Sequence, residues 1–222
     1  MIMGGTLNYS SLSEHVYLYL RRQMNLGKLT PGSTINIGEI AAQLGVSKTP
    51  LRDALIHLEC EGFVTILPRR GVLVNKLSLD DIRKAYETVG LVEAFIIRAN
   101  IDKITPVHIA TLERINEQMI EEIKAGDLTK IFENNLEFHN TYLDISDNDM
   151  LKKFILPIKH RLYDFPRQSY LPEWELNNSV DHARFIECLK KKDGQGAAAI
   201  LQDVHWSFTV QQGFITQFYD GE

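Results

Sequence analysis

The stretch from Asn36 to Val74 constrains what this chain can fold into more than any other. Ile40, Ala41 and Leu44 give a short helix one apolar face, Gly45 is free to take positive φ, and Ser47 stands where it can cap a second helix. In that second helix Leu51, Ala54, Leu55 and Leu58 recur at helical spacing and must face a core. That leaves Lys48, Thr49 and Arg52 together on the outer side of its first turns. Pro50 is tolerated because first-turn amides have no helical partner. Phe63 to Leu67 and Val72 to Val74 are β-rich runs flanking Pro68-Arg69-Arg70-Gly71, so a hairpin with two cations at its tip closes the unit. Helix, tight turn, helix and hairpin together spell a winged helix-turn-helix.

In such a unit the N-terminal end of the second helix enters the major groove of DNA. Ser47, Lys48, Thr49 and Arg52 are therefore the candidate contacts on that helix. The planar fork of Arg52 can bind guanine O6 and N7 together, whereas Lys48 is a point charge suited to phosphate or to one guanine acceptor. Arg69, Arg70 and Gly71 at the hairpin tip would lie against phosphate or a minor-groove edge; the plainer reading is a solvated turn beside a helical hairpin. The first 75 residues hold seven Lys/Arg against five Asp/Glu, a net of +2, so the overall −5 leaves −7 for residues 76 to 222. Only the front end favours nucleic acid electrostatically.

A chain of 222 residues with 44% hydrophobic content can fill two packed cores. Ser78-Leu-Asp-Asp81 shifts the composition and carries a helix-capping signal, which sets the domains at residues 1–77 and 78–222. Residues 1 to 10 carry little pattern and are expected to fray. A first helix over about 11 to 26 is read from Leu12, Val16, Leu20 and Met24, ended by Gly27. Beyond the boundary no strand pattern appears. Six helical segments read over 79 to 101, 105 to 125, 127 to 146, 148 to 164, 173 to 192 and 194 to 218, with breaks such as Thr105-Pro106, Gly126-Asp127 and Pro166 to Pro172. The fold class is thus mainly α: a winged helix-turn-helix followed by an antiparallel helical bundle whose core can hold a ligand. Cys60 and Cys188 read as reduced core thiols, not as a disulfide framework or zinc motif. No run approaches the roughly 20 apolar residues of a membrane span and no secretion signal is evident, so a soluble, cytoplasmic protein without a membrane partner is expected.

The front stretch resembles the winged helix-turn-helix of the GntR family of bacterial transcription regulators. The resemblance rests on Gly27 with Pro31-Gly32, the run from Leu44 to Leu55, Leu58, Glu61-Gly62 and Arg70-Gly71. Gly38 stands where many members carry an Arg that touches the DNA backbone, and Lys48 replaces a commoner Arg, so a different distribution of DNA contacts is expected. The remainder is similar to the FCD domain, the ligand-binding half of the FadR-like branch. That resemblance implies a divalent metal held by an Asp-x3-His pair and two later histidines. In this chain the matching residues are Asn135, His139, His182 and His205. Three imidazoles and an oxygen suit zinc, nickel or manganese. Asn135 replaces the usual Asp, and a neutral amide is a weaker ligand. The family also often has Arg three residues before a Glu in the first body helix, where this chain has Gly90 and Glu93. Glu93, with Arg98 or Arg161 standing in for the absent guanidinium, is the candidate effector-binding set.

The expectation is a homodimeric regulator on an inverted-repeat DNA operator, responsive to a small metabolite, in keeping with the family a carboxylate, and not an enzyme. Two rivals stand beside it. One is a metal-free regulator binding a bulkier ligand such as an acyl thioester. The other is a metalloenzyme using His139, His182 and His205, which lacks a recognisable general-base motif and leaves the front domain unexplained.

Overall fold

The computed structural model describes residues 11–164 and 171–219, so residues 1 to 10 and most of the break expected at Pro166 to Pro172 lie outside the described residues. The described residues fall into two compact units that meet in the sequence at Lys76 and Leu77.

The first unit opens with helix α1 (Leu12–Asn25), capped by the Ser11 side chain on the Glu14 amide. Val16, Leu20 and Met24 are buried as the periodicity expects, but Leu12 is 54% exposed and Tyr17 takes a buried place instead. Helix α2 (Ile37–Leu44) is capped by Asn36 and stopped by Gly45, whose φ of 64° is the left-handed conformation that the tight turn requires. Helix α3 (Lys48–Cys60) follows and buries Leu51, Ala54, Leu55 and Leu58. Strand β1 (Thr34–Ile35) pairs antiparallel with β3 (Gly71–Val74), which also pairs antiparallel with β2 (Val64–Leu67). The wing is thus a three-stranded sheet in the order β1-β3-β2. Two residues before α2 carry too short a pattern for sequence reasoning to find β1.

The second unit is a helical bundle. Helix α4 (Leu79–Asn100) starts at a capping box in which the Ser78 hydroxyl accepts from the Asp81 amide and the Asp81 carboxylate accepts from the Ser78 amide. Its stripe of Ile82, Tyr86, Val89, Glu93, Ile96, Ile97 and Asn100 is buried. Helices α5 (Pro106–Ala125), α6 (Leu128–Leu143), α7 (Asp149–Asp164) and α8 (Pro172–Lys190) follow. The last segment departs from the single helix expected over 194 to 218. Helix α9 (Gly194–Ala199) runs into a π-helical turn (Ile200–His205), and α10 (Phe208–Tyr219) resumes after it. The extra residue per turn lets consecutive His205 and Trp206 both be buried. A single core from α4 to α10 includes Phe138, Tyr142, Phe185, Leu201 and Ile215. Of the two expected core thiols, Cys60 is exposed, off the apolar stripe of α3, whereas Cys188 is half-buried and packs against the bundle core. Among the described residues no helix is long and apolar enough to cross a membrane.

Candidate functional site

On the outer side of α3, Ser47, Lys48, Thr49 and Arg52 are all exposed, opposite the buried leucine face. Ser47 occupies the N-cap position with extended backbone, but its side chain makes no capping hydrogen bond, contrary to its expected role. At the wing tip Arg69 and Arg70 are exposed and Gly71 is half-buried. Arg69 adopts φ 63° and Gly71 φ 100°, while the Arg70 amide donates to the Leu67 carbonyl across 3.0 Å. A left-handed conformation is uncommon outside glycine and costs a non-glycine residue roughly 1 kcal/mol or more.

The second unit gathers three histidines from distant parts of the chain. His139 comes from α6, His182 from α8 and His205 from the end of the π-helical turn. All three are buried, and one ligand nitrogen from each lies within 4.8 Å of the others. Ring centroids are 5.5 Å apart for His139 and His182, 5.1 Å for His139 and His205, and 4.9 Å for His182 and His205. Nε2 of His139, both nitrogens of His182 and Nδ1 of His205 are buried without a hydrogen-bond partner. Buried polar atoms in native proteins almost always have partners, so a cluster in which each histidine has an orphaned nitrogen and offers one ligand atom to a common place describes a candidate ligand set. Burial lowers the pKa of His182 well below its ordinary value and that of His205 to about 3. Burial also lowers His139, against the pull of the Glu93 charge. The three imidazoles are thus neutral near pH 7, the state that ligates.

Asn135 lies one helical turn before His139 and donates Nδ2–H to the Tyr163 hydroxyl at 3.1 Å. It lines a cavity of about 50 Å³ together with His205, Trp206, Tyr163 and Trp174.

Glu93 is buried among protein donors. Its carboxylate, 0% exposed, is enclosed by four donors: Lys159 Nζ at 2.7 Å on Oε1, and on Oε2 the Tyr142 hydroxyl at 2.6 Å, Trp206 Nε1 at 2.8 Å and His139 Nδ1 at 2.9 Å. Burial opposes its charge, but the His139 and Lys159 contacts outweigh burial and hold its pKa well below the ordinary carboxylate value. Neither expected guanidinium lines the cavity. Arg98 is exposed on α4, and Arg161 lies toward Asp81 at the start of that helix. The cation that sequence reasoning missed is Lys159, only 1% exposed, on α7. Its place between Ile155 and Leu162 on the buried stripe of that helix was the available signal.

The position three residues before Glu93 has its own reason to lack a side chain. A Cβ on Gly90 would meet the Trp206 Cβ at 2.9 Å, so the indole that bonds Glu93 occupies the space an arginine would need. Alanine at a helix interior normally gains about 1 kcal/mol over glycine, whereas overpacking a rigid contact costs typically 1 to 3 kcal/mol. The Gly90→Ala variant is therefore expected to be less stable than the wild type in urea unfolding, and a gain in stability would contradict this packing.

The FCD domain family matches residues 84–204, and the family of bacterial regulatory proteins termed gntR matches residues 12–74. The Nta operon transcriptional regulator of Aminobacter aminovorans is 30% identical over 199 residues, covering 85% of this chain and 91% of that protein. The HTH-type transcriptional regulator McbR of Escherichia coli strain K12 is 27% identical over 209 residues, covering 90% and 92%. A solved structure of E. coli McbR/YncC is similar with a TM-score of 0.71 at 25% identity, over 93% of this chain and 96% of that one. The chain belongs to the GntR family of bacterial transcription regulators, and its second unit is an FCD domain.

Proposed function

We propose that this transcription regulator binds an inverted-repeat operator as a homodimer and senses a small carboxylate at a divalent metal inside its FCD domain. The observation that carries the sensing half is the convergence of orphaned nitrogens from His139, His182 and His205 in a buried, neutral cluster. These three residues would hold the ion, with Asn135 beside them as an oxygen donor. When bound, such an ion supplies a Lewis-acidic centre that an effector carboxylate can coordinate. Zinc, nickel and manganese all accept this donor set. The cavity lined by Asn135 and His205 is small, which favours a small acid over a bulky acyl thioester. A hydrolytic role for the same histidines is disfavoured, because the carboxylate bonded to the cluster, Glu93, already accepts from four donors and has no capacity left as a base.

The DNA-binding half rests on the exposed set on α3 and the wing. Two copies related by a two-fold axis would place both recognition helices in successive major grooves. Arg52 is assigned to base readout and Lys48 to phosphate, with Ser47 and Thr49 beside them and Arg69, Arg70 and Gly71 on the flanking backbone.

Operator titrations separate these roles. Arg52→Ala should relax preference at one base pair per half-site and cost ~1 to 3 kcal/mol, whereas Lys48→Ala should weaken binding evenly and flatten its salt dependence. Arg69→Gly removes a cation while relieving a left-handed backbone, so it should leave stability within about 1 kcal/mol of wild type and still weaken DNA binding. Unchanged operator affinity and specificity for Arg52→Ala would count against the docking.

For the metal, elemental analysis after desalting is the test. His182 has no hydrogen bond to lose, so His182→Ala should lower metal content and effector response by removing a ligand. Asn135→Asp adds an anionic oxygen at the same place and should raise metal affinity. A His182→Ala protein that retains as much metal as wild type would overturn the site and favour a metal-free regulator.

A further inference from the structure

An ionised carboxylate taken out of water costs several kcal/mol unless it is well paired, and a similarly sized apolar pair in place of Glu93 and Lys159 would fill the core without that cost. Packing alone therefore does not account for Glu93. Its hydrogen bonds settle a question of protons. Trp206 Nε1–H and Lys159 can only donate, and the single Tyr142 hydroxyl proton points at Glu93 Oε2. Nδ1 of His139 lies 2.9 Å from that same oxygen and 2.6 Å from the Tyr142 oxygen. A lone pair on Nδ1 would face a carboxylate oxygen at hydrogen-bond distance, so Nδ1 must carry the proton. In the neutral ring Nε2 is then the bare nitrogen, and it is the His139 atom left buried without a partner.

We propose that Glu93 is a positioning residue for His139: it fixes the imidazole as the Nδ1–H tautomer and so keeps the Nε2 lone pair turned to a divalent ion, with Lys159 balancing its charge. This rests on the metal reading above. Each partner has a defined part. Trp206 and Tyr142 hold Oε2 in place. Lys159 holds Oε1, and its ammonium also lies 5.7 Å from the centre of the Trp206 ring. The effector-binding role expected of Glu93 is thereby replaced by one exerted through His139. Partners of this kind commonly account for 10-fold to 100-fold in metal affinity.

Two double variants of the full chain separate positioning from charge balance. Glu93→Gln with Lys159→Met removes both buried charges but keeps a carbonyl oxygen that can accept from His139 Nδ1–H. Glu93→Met with Lys159→Met removes the charges and the acceptor while retaining apolar bulk. Folding is checked by circular dichroism, the tautomer of His139 by ring nitrogen NMR on metal-free protein, and zinc affinity by competition with a chromophoric chelator. Wild type and the Gln/Met variant should show the Nδ1–H ring and bind zinc alike. The Met/Met variant should fold, lose that tautomer preference and bind zinc about 10-fold to 100-fold more weakly. Zinc binding as tight as wild type in the Met/Met variant, or equal losses in both variants, overturns the proposal. A wild type that holds zinc but carries the His139 proton on Nε2 overturns this assignment alone, whereas a wild type that holds no zinc overturns the metal reading and this one with it.

Discussion

The FCD domain is organised around one buried carboxylate. Glu93 on α4 accepts from Tyr142 and His139 on α6, from Lys159 on α7 and from Trp206 just past the π-helical turn. Losing one partner of such a pair strands a charge in the core, a loss on the order of 3 to 5 kcal/mol, so these segments are held to a common arrangement. The irregular last helix follows from it. Trp206 must reach Glu93 while its neighbour His205 faces the other histidines, and a regular α-helix would swing consecutive side chains about 100° apart. The wider π-helical turn brings both inward, and Gly90 leaves the room in which the indole lies.

Much of this was legible in the sequence, for physical reasons that differ between the two units. The helix-turn-helix is local: an apolar face, a left-handed Gly45 and a second amphipathic helix lie within about two dozen residues, so short-range rules place them. The capping box at Ser78 was equally local. The histidine cluster is not, since His139, His182 and His205 are joined only by the packing of three helices, and the family resemblance rather than spacing brought them together. The charged pair was within reach of periodicity alone. Glu93 lies on the buried stripe of α4 and Lys159 on that of α7, and a carboxylate and an ammonium each forced into a core call for one another. Sequence reasoning named Arg98 and Arg161 as cations near Glu93 without being able to place either, whereas the cation bonded to Glu93 is Lys159, two residues before Arg161 on α7. The π-helical turn and the two-residue strand β1 had no composition signal to find.

The two departures from the family pattern acquire a common sense in the structure. Gly90 removes a guanidinium and Asn135 removes a carboxylate, so one positive and one negative group are absent from the same region. Lys159 does not restore the first, because its ammonium is engaged by Glu93. Among the described residues, no lysine or arginine lines the cavity beside Asn135 and His205. In the proposed account a carboxylate effector is therefore held by the metal itself and not by a side-chain cation, and metal and effector would strengthen one another's binding.

The most direct test of the account is anomalous diffraction at the zinc edge from crystals of the zinc-loaded full-length chain. The account predicts one strong peak at about 2.1 Å from nitrogens of His139, His182 and His205, with Nε2 as the His139 ligand. Full zinc occupancy elsewhere with nothing among these three rings, or coordination of His139 through Nδ1, would contradict it.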